Sequence, residues 1–142
     1  MTRYVTEPVE LWPATPDAVA LPISARLDYD AADPFAVRLA FPSPGGTDGI
    51  TWVLSRALLL DGIDKPTGCG DVHIAPADAE DWATITLYPE RDDQLALHAP
   101  RETIARFLAR TFAAVPMGRE AAGIDWDTEL AALLTGGVGD GL

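Results

Sequence analysis

The side chains best equipped for chemistry lie close together between Pro66 and His73, in the stretch Pro-Thr-Gly-Cys-Gly-Asp-Val-His. A thiol, a carboxylate and an imidazole accompany two glycines, as in a catalytic loop or a phosphate-binding loop. A P-loop places Lys and then Ser or Thr after its last glycine, so that an ammonium and a hydroxyl meet phosphate and Mg²⁺. Lys65 instead precedes the stretch, and no Gly-Lys pair occurs in the chain. The glycines therefore predict a turn with φ > 0 that leads into a strand.

Cys69, Asp71 and His73 each have a structural explanation, which for His73 is that of a solvent-facing strand residue. Cys69 is the only cysteine, so it forms no intramolecular disulfide, and we interpret it as a small side chain between glycines. Asp71 could be a general base, but aspartate is a common turn residue that accepts backbone N–H bonds, and we favour that role. A small enzyme that uses Asp71, His73 or Cys69 stays open as an alternative. It would need a deep pocket that joins them.

Other catalytic and metal patterns are missing from the sequence. The two histidines, His73 and His98, stand in no His-Glu-x-x-His motif, and a zinc site needs three or four ligands with short spacing. No serine lies in a Gly-x-Ser-x-Gly elbow. The acidic stretch at 28–33 lacks the central glycine and the terminal glutamate of a calcium loop. We predict no catalytic residue, no metal and no cofactor.

The composition indicates one soluble, strongly acidic domain. The chain has 142 residues, of which 48% are hydrophobic, and its 22 acidic and 10 basic residues give a net charge of −12. No apolar run approaches the ~20 residues of a membrane helix. The N-terminal segment lacks the apolar core of a signal peptide, so we expect a cytoplasmic protein. We predict a single domain over residues 1–135 and a flexible glycine-rich tail over 136–142.

Hydrophobic alternation in the first half of the chain predicts a β meander. Ala25, Leu27 and Tyr29 alternate with polar residues, and the apolar positions from Phe35 to Phe41 repeat this pattern after the Asp33-Pro34 turn. The predicted strands cover residues 3–12, 25–29, 35–41 and 50–54.

The second half predicts a mixture of helices and strands. Ser55 is expected to cap a short helix that runs to Asp61 and stops at Gly62. Three strands follow at 72–75, 83–87 and 95–99, and helical spacing then predicts a helix over 101–114. The end of that helix is assigned to Pro116 and Gly118, and a last helix is assigned to the residues after its cap, Asp127. The fold class is therefore α+β, with a mainly antiparallel sheet of about seven strands, a short helix after the fourth strand and two C-terminal helices.

Charged residues on the predicted 101–114 helix form a face of their own. Glu102, Arg106 and Arg110 follow one another at intervals of four residues, the spacing at which helix side chains are neighbours. We expect weak pairing among these three.

Two aromatic residues are candidates for contact with a partner. Trp82 lies on the parity opposite the apolar face of its strand, and Tyr88 shares that parity. Exposed aromatics can stack nucleic-acid bases, as in single-strand binders, or bury themselves in a protein interface. Because nucleic-acid affinity comes largely from Lys and Arg, the net charge favours the protein interface. A single-stranded nucleic-acid-binding module remains the alternative.

Several stretches together resemble one known family. The sequence is similar to the SsgA-like proteins, actinobacterial regulators of sporulation-specific cell division, from about Val19 to Leu134. The resemblance implies a Whirly-like fold, a homo-oligomer with a trimer favoured, and a non-enzymatic role at division septa. It also implies partners among cell-division proteins, either the tubulin-like FtsZ or another SsgA-like protein. The net charge of −12 predicts no nucleic-acid partner. The matching stretches are 27–37, 50–53, 56–62, 66–72, 110–116 and 125–130.

The resemblance also suggests where a partner binds. Two irregular segments fall in register with the family pattern, the glycine turn at 66–71 and the helix junction at 115–118. The candidate interface residues are Pro66, Thr67, Gly68, Gly70, Asp71, Trp82, Tyr88, Val115, Pro116 and Gly118.

Overall fold

The structure, a computed structural model, describes residues 4–14, 21–42, 49–78, 81–89, 92 and 94–120. Its elements are β1 (Tyr4–Pro13), β2 (Ile23–Asp30), β3 (Ala36–Ala40), β4 (Thr51–Ser55), α1 (Arg56–Gly62), β5 (Thr67–Cys69), β6 (Val72–Pro76), β7 (Trp82–Leu87), β8 (Leu95–Pro100) and α2 (Arg101–Ala114).

The strands form one antiparallel sheet in the order β4-β3-β2-β1-β8-β7-β6-β5. The chain makes a four-strand meander twice, and a helix follows each meander. The two meanders meet where β1 pairs with β8, with Trp12 opposite His98 and Pro13 opposite Leu97. The α+β class and the largely antiparallel sheet predicted from the sequence are therefore confirmed.

The prediction of seven strands was wrong, because the described chain contains eight. The additional strand is β5, which lies inside the stretch that the sequence assigned to a glycine turn. It pairs with β6, with Gly68 opposite His73 and Cys69 opposite Val72. Three residues that include a glycine show no alternation of apolar side chains, so the sequence carries no strand signal there.

The core lies between the inner face of the sheet and the two helices. Inward residues of every long strand are apolar, and α2 adds Ile104, Phe107 and Leu108, all at most 2% exposed. α2 spans 101–114 as predicted. The predicted helix after Asp127 and the tail at 136–142 lie outside the described residues.

Helix α1 begins as predicted but ends differently. The Ser55 hydroxyl oxygen accepts a hydrogen bond from the Leu58 N–H at 2.8 Å, which is the capping bond expected of serine. Gly62 is the last helical residue, not a stop beyond the helix, and Ile63 caps the end. Glycine is needed for space, because a Cβ at position 62 would come within 2.4 Å of the Ile74 Cβ. This contact sets α1 directly against β6.

Helix α2 is tied to β1 by charge as well as by apolar packing. Arg106 and Arg110 reach the Glu7 carboxylate at 3.4 and 3.2 Å, and Arg110 also donates to the Thr6 carbonyl at 2.9 Å. The arginines thus bond across to the sheet, instead of to Glu102 on their own helix. Single-sequence spacing finds neighbours within a helix but not partners on another element.

Candidate functional site

The glycine turn is a tight β5–β6 hairpin with an exposed tip. Gly70 has φ +60° and a Cβ there would meet nothing within 4 Å, so glycine serves the backbone conformation alone. Pro66, Gly68 and Asp71 are exposed, and Thr67 is half-buried. This hairpin presents backbone and small side chains to the surroundings.

Asp71 holds the tip through its backbone. Its carbonyl accepts a hydrogen bond from the Tyr88 N–H at 2.8 Å, which connects the tip of the hairpin to the end of β7. The sequence predicts instead that the Asp71 carboxylate accepts backbone N–H bonds within the turn. The Asp71 side chain is exposed, and His73 is half-buried two residues further along.

Trp82 and Tyr88 do not form one stacking platform. They lie at opposite ends of β7, and six residues of extended chain separate their positions by about 20 Å. The Tyr88 ring packs edge-on against Trp52, with ring centroids 4.9 Å apart. Tyr88 also has φ +54°, an unusual conformation for a non-glycine residue. This ring contact joins the two halves of the sheet.

The junction after α2 is an exposed, hydrogen-bonded turn. Val115 leaves the helix in an extended conformation, and the Pro116 carbonyl accepts a bond from the Arg119 N–H at 2.9 Å. Gly118 has φ +85° with open space at its Cβ position, and its N–H donates to Glu120 Oε1 at 2.8 Å. Met117, at the apex, is 64% exposed.

A buried arginine beneath this junction was missed by sequence reasoning. Arg56 is 2% exposed and donates through Nη1 to two carbonyl oxygens at the end of α2, Thr111 at 3.2 Å and Val115 at 2.8 Å. Its Nη2 donates to Glu120 Oε2 at 3.0 Å. The guanidinium carbon also lies 4.2 Å from the centroid of Phe112 and 5.0 Å from that of Tyr29. Arg56 therefore satisfies the carbonyl end of α2 from the first position of α1.

The signal for Arg56 is present in the sequence. The start of a helix favours acidic side chains because the N–H groups there are unpaired, so a cation directly after a capping serine is out of place. The position of this cation is explained because it binds the C-terminal carbonyls of another helix, and such carbonyls attract positive charge.

The electrostatics of this cluster shift two pKa values. Glu120 bonds to its own backbone N–H and to Arg56, and these bonds hold its carboxyl pKa below the usual value. Burial raises the pKa of the Tyr29 hydroxyl, against the opposing effect of the Arg56 charge. The Tyr29 hydroxyl donates to the Pro34 carbonyl at 3.0 Å, so it is satisfied as a neutral group.

Trp82 forms the boundary between two surface cavities. One, of about 550 Å³, is lined by Trp12, Ala77, Asp78, Trp82 and His98. The other, of about 410 Å³, is lined by Asp81, Trp82, Pro100, Arg101, Glu102 and Ala105. Neither lining includes Asp71 or His73, the residues of the alternative enzymatic hypothesis.

The described part of the chain offers neither a metal site nor a membrane-spanning helix. Within it, no group of three or more His, Cys, Asp or Glu side chains is arranged to hold a metal ion. Among the same residues, no helix has the length and hydrophobicity needed to cross a membrane.

Known proteins match this chain in sequence and in structure. The family model described as "Streptomyces sporulation and cell division protein, SsgA" matches residues 23–120. The sporulation-specific cell division protein SsgB of Salinispora tropica is 42% identical over 128 residues, which covers 85% of this chain and 86% of the relative. SsgB of Streptomyces coelicolor is 38% identical over 116 residues, 81% of this chain and 84% of the relative.

Solved structures give the same result. The SsgA-like sporulation-specific cell division protein of Thermobifida fusca has a TM-score of 0.79 at 37% identity, covering 92% of this chain and 97% of its own. The structure of SsgB from Streptomyces coelicolor, reported with mutations that correlate to longitudinal cell division during sporulation, has a TM-score of 0.73 at 35% identity. It covers 84% of this chain and 93% of its own. The sequence resemblance is confirmed, and this chain belongs to the SsgA family of sporulation and cell division proteins.

Proposed function

We propose that this chain is a non-enzymatic regulator of sporulation-specific cell division that works by protein–protein contact. It recruits or positions the septation machinery, by binding either FtsZ or an SsgB-type partner. The observation that carries the proposal is the similarity to SsgB proteins over most of the chain. The polar chemistry supports it, because Arg56, Glu120, Glu7 and Arg110 are engaged in holding elements together.

The contact surface surrounds α1. The β5–β6 hairpin follows the C-terminal end of this helix, and the 115–118 junction rests on Arg56 at its N-terminal end. A seven-residue helix is about 10 Å long, so one partner of ordinary interface size can cover both segments. Exposed Pro66 and Asp71 on one side and Pro116 and Met117 on the other would contact it.

The proposal extends to assembly and place. A Whirly-like fold, a homotrimer and a cytoplasmic position at division septa are parts of it, supported by the similarity to SsgB proteins and by the repeated meander and helix. Trp82 and Tyr88 are proposed as contact residues of separate regions, since β7 lies between them. A single-stranded nucleic-acid-binding role is disfavoured by the net charge of −12.

Co-sedimentation with polymerised FtsZ tests the surface around α1. Met117→Glu places a charge on an exposed apex and leaves the core untouched, so it should weaken co-sedimentation at least about tenfold if Met117 is a buried contact. The matched control is Leu21→Glu, which changes a residue that is 78% exposed beside the start of β2, the opposite end of that meander from α1.

Gly118→Asn provides a second variant, because asparagine tolerates a positive φ better than other side chains. It should weaken FtsZ binding clearly while it lowers the melting temperature only slightly. Equal FtsZ binding by wild type, Met117→Glu and Gly118→Asn, with intact folds, would remove the junction from the interface.

A further inference from the structure

Two tryptophans, Trp12 and Trp82, lie on the strands around β8, where the two meanders meet. Trp12 and His98 pair across the β1–β8 contact, and Trp82 pairs with Pro100 across β7–β8. These side chains, with Asp78, Asp81 and Glu102, line the two cavities on either side of Trp82. We call this set of seven residues the Trp82 cleft.

The walls of the cleft are held in place by the sheet. The Ala77 N–H donates to the Trp82 carbonyl at 2.9 Å, which positions the loop that carries Asp78. The Thr84 hydroxyl bonds to His98 Nδ1 at 2.8 Å and fixes the imidazole at the floor. Trp12 is 37% exposed, so its indole is available on one side. An aromatic site on rigid strands needs little ordering when it binds a ligand, and this favours affinity.

The charge around the cleft is negative. Asp78, Asp81 and Glu102 are exposed at its rim. Arg101 also lines the second cavity, but its guanidinium pairs with the Asp64 carboxylate and donates to the Ile63 carbonyl at 3.1 Å. The Arg101 guanidinium is therefore already paired, while two carboxylates from the connection between β6 and β7 and one from α2 lie at the cavities.

We propose that the Trp82 cleft binds an extended, basic segment of a partner protein. An arginine or lysine side chain lies over an indole face in the larger cavity, with its charge directed toward Asp78. Side chains two positions apart in an extended peptide are separated by about 7 Å, so the next one on the same side enters the smaller cavity across Trp82. The inference rests on the proposed function, since it takes Trp82 to be a contact residue.

The charges at the cleft favour a basic peptide segment over nucleic acid, anionic lipid or a second copy of this chain. A cation over an indole is stabilised by the ring quadrupole, and the stem of arginine or lysine covers apolar surface while its head stays near carboxylates. Phosphate groups of nucleic acid or of anionic lipid would be repelled by Asp78, Asp81 and Glu102. A second copy of a chain with net charge −12 offers poorer complementarity than a basic segment.

The test uses the full chain and the tryptophan indole signals in ¹H–¹⁵N spectra. The probe is acetyl-Leu-Arg-Pro-Arg-amide, and its control is the same peptide with citrulline, which is neutral and nearly isosteric, in place of arginine. The Trp12 and Trp82 indole signals should shift in a saturable way, while the Trp52 signal stays. The citrulline peptide should bind at least about tenfold more weakly, from loss of the cation–π and ionic contacts.

Three variants complete the design. Trp82→Ala should weaken binding of the arginine peptide at least about tenfold. Asp78→Asn, an exposed change that leaves the fold intact, should weaken binding of the arginine peptide several-fold and reduce the salt dependence of that binding. Tyr4→Ala, an exposed aromatic at the opposite end of β1 from Trp12, is the control and should bind as wild type does.

Several results would overturn the inference. These are unchanged Trp12 and Trp82 signals at millimolar arginine peptide, equal binding of the citrulline peptide, or preferred binding of oligothymidylate or of an acidic peptide. The two proposals fail separately. Absence of binding to both FtsZ and an SsgB-type protein, with the peptide shifts intact, would refute only the proposed function, and binding to either protein without any peptide shift would refute only the cleft.

Discussion

Arg56 shows how one residue can determine the geometry of a surface that it does not itself present. Its guanidinium is buried and makes bonds to Thr111, Val115 and Glu120, so the exposed junction above it has a defined shape. A buried cation that has no partners destabilises the folded state. It contributes to stability only when its N–H donors are hydrogen-bonded. Here the donors serve carbonyls that α2 would otherwise leave unpaired.

Substitution of Arg56 should therefore be severe. Arg56→Ala leaves two carbonyls and a carboxylate without their donor and opens space between Tyr29 and Phe112, and we expect a loss of about 3–5 kcal/mol in the free energy of unfolding. Arg56→Lys keeps the charge but cannot supply the fork, so the loss should be smaller. Urea unfolding measures both. A loss below about 1 kcal/mol for Arg56→Ala would contradict the assigned role.

Glu120 gives the same cluster a dependence on pH. Because its pKa is lowered in the folded state, its contribution to stability is present above the ordinary glutamate pKa, about 4.3, and is lost as pH falls through the folded-state value. Glu120→Gln should be less stable than wild type near pH 6–7. The difference should vanish at a pH below the folded-state pKa. Unfolding curves at several pH values test this, and a difference that persists unchanged in acid would exclude the ionic contribution.

The sequence predicts contacts between individual residues less well than it predicts helices, strands and the fold class. Ser55 could be assigned as a cap because its bond is local and lies three residues away along the chain. Arg56 could not be paired with Glu120, because 64 residues separate them and only the fold brings them together. The same limit applied to Glu7, whose partners lie on α2 about a hundred residues later.

At the scale of elements, close packing of α1 on β6 depends on Gly62. The Cβ of any other residue would collide with Ile74, which lies on the core side of its strand. We expect Gly62→Ala to cost about 1–3 kcal/mol of unfolding free energy through overpacking, even though alanine is the better helix former.

Gly70→Ala is the matched control for this prediction. Position 70 has open space and φ +60°, so its cost comes only from backbone strain, about 1 kcal/mol. Thermal unfolding of both variants separates the two mechanisms. If Gly62→Ala is as stable as wild type, α1 does not pack on Ile74 as closely as described.

Element boundaries followed the strength of the local pattern. Helix α2 was predicted with its correct bounds because its apolar spacing, its leading proline and its terminal breaks all agree. β5 was missed because three residues with a central glycine carry no period, and its pairing with β6 comes from the hairpin geometry. The junction at 115–118 was recognised as an end of a helix, but the bonds that shape it come from Arg56 and Glu120.

At the scale of the whole molecule, two meanders and two helices present two candidate surfaces. The surface around α1 lies where the first meander passes into the second, and the Trp82 cleft lies where β1 meets the second meander. A molecule with two such surfaces can connect two partners, which is what an adaptor in septation requires. The family resemblance indicated this role, whereas the cleft depends on a strand pairing that the sequence did not reveal.

If this chain works by binding a division protein, its mass in solution should change when purified FtsZ is added. Light scattering after size exclusion should show the free chain at about three times its 15.1 kDa monomer mass, and a heavier species that contains both proteins when FtsZ is added. Separate elution of the two proteins at every concentration and nucleotide state, with the chain folded, would contradict direct recruitment of FtsZ. The same experiment with an SsgB-type protein then tests the other partner, and separate elution there as well would refute the adaptor role.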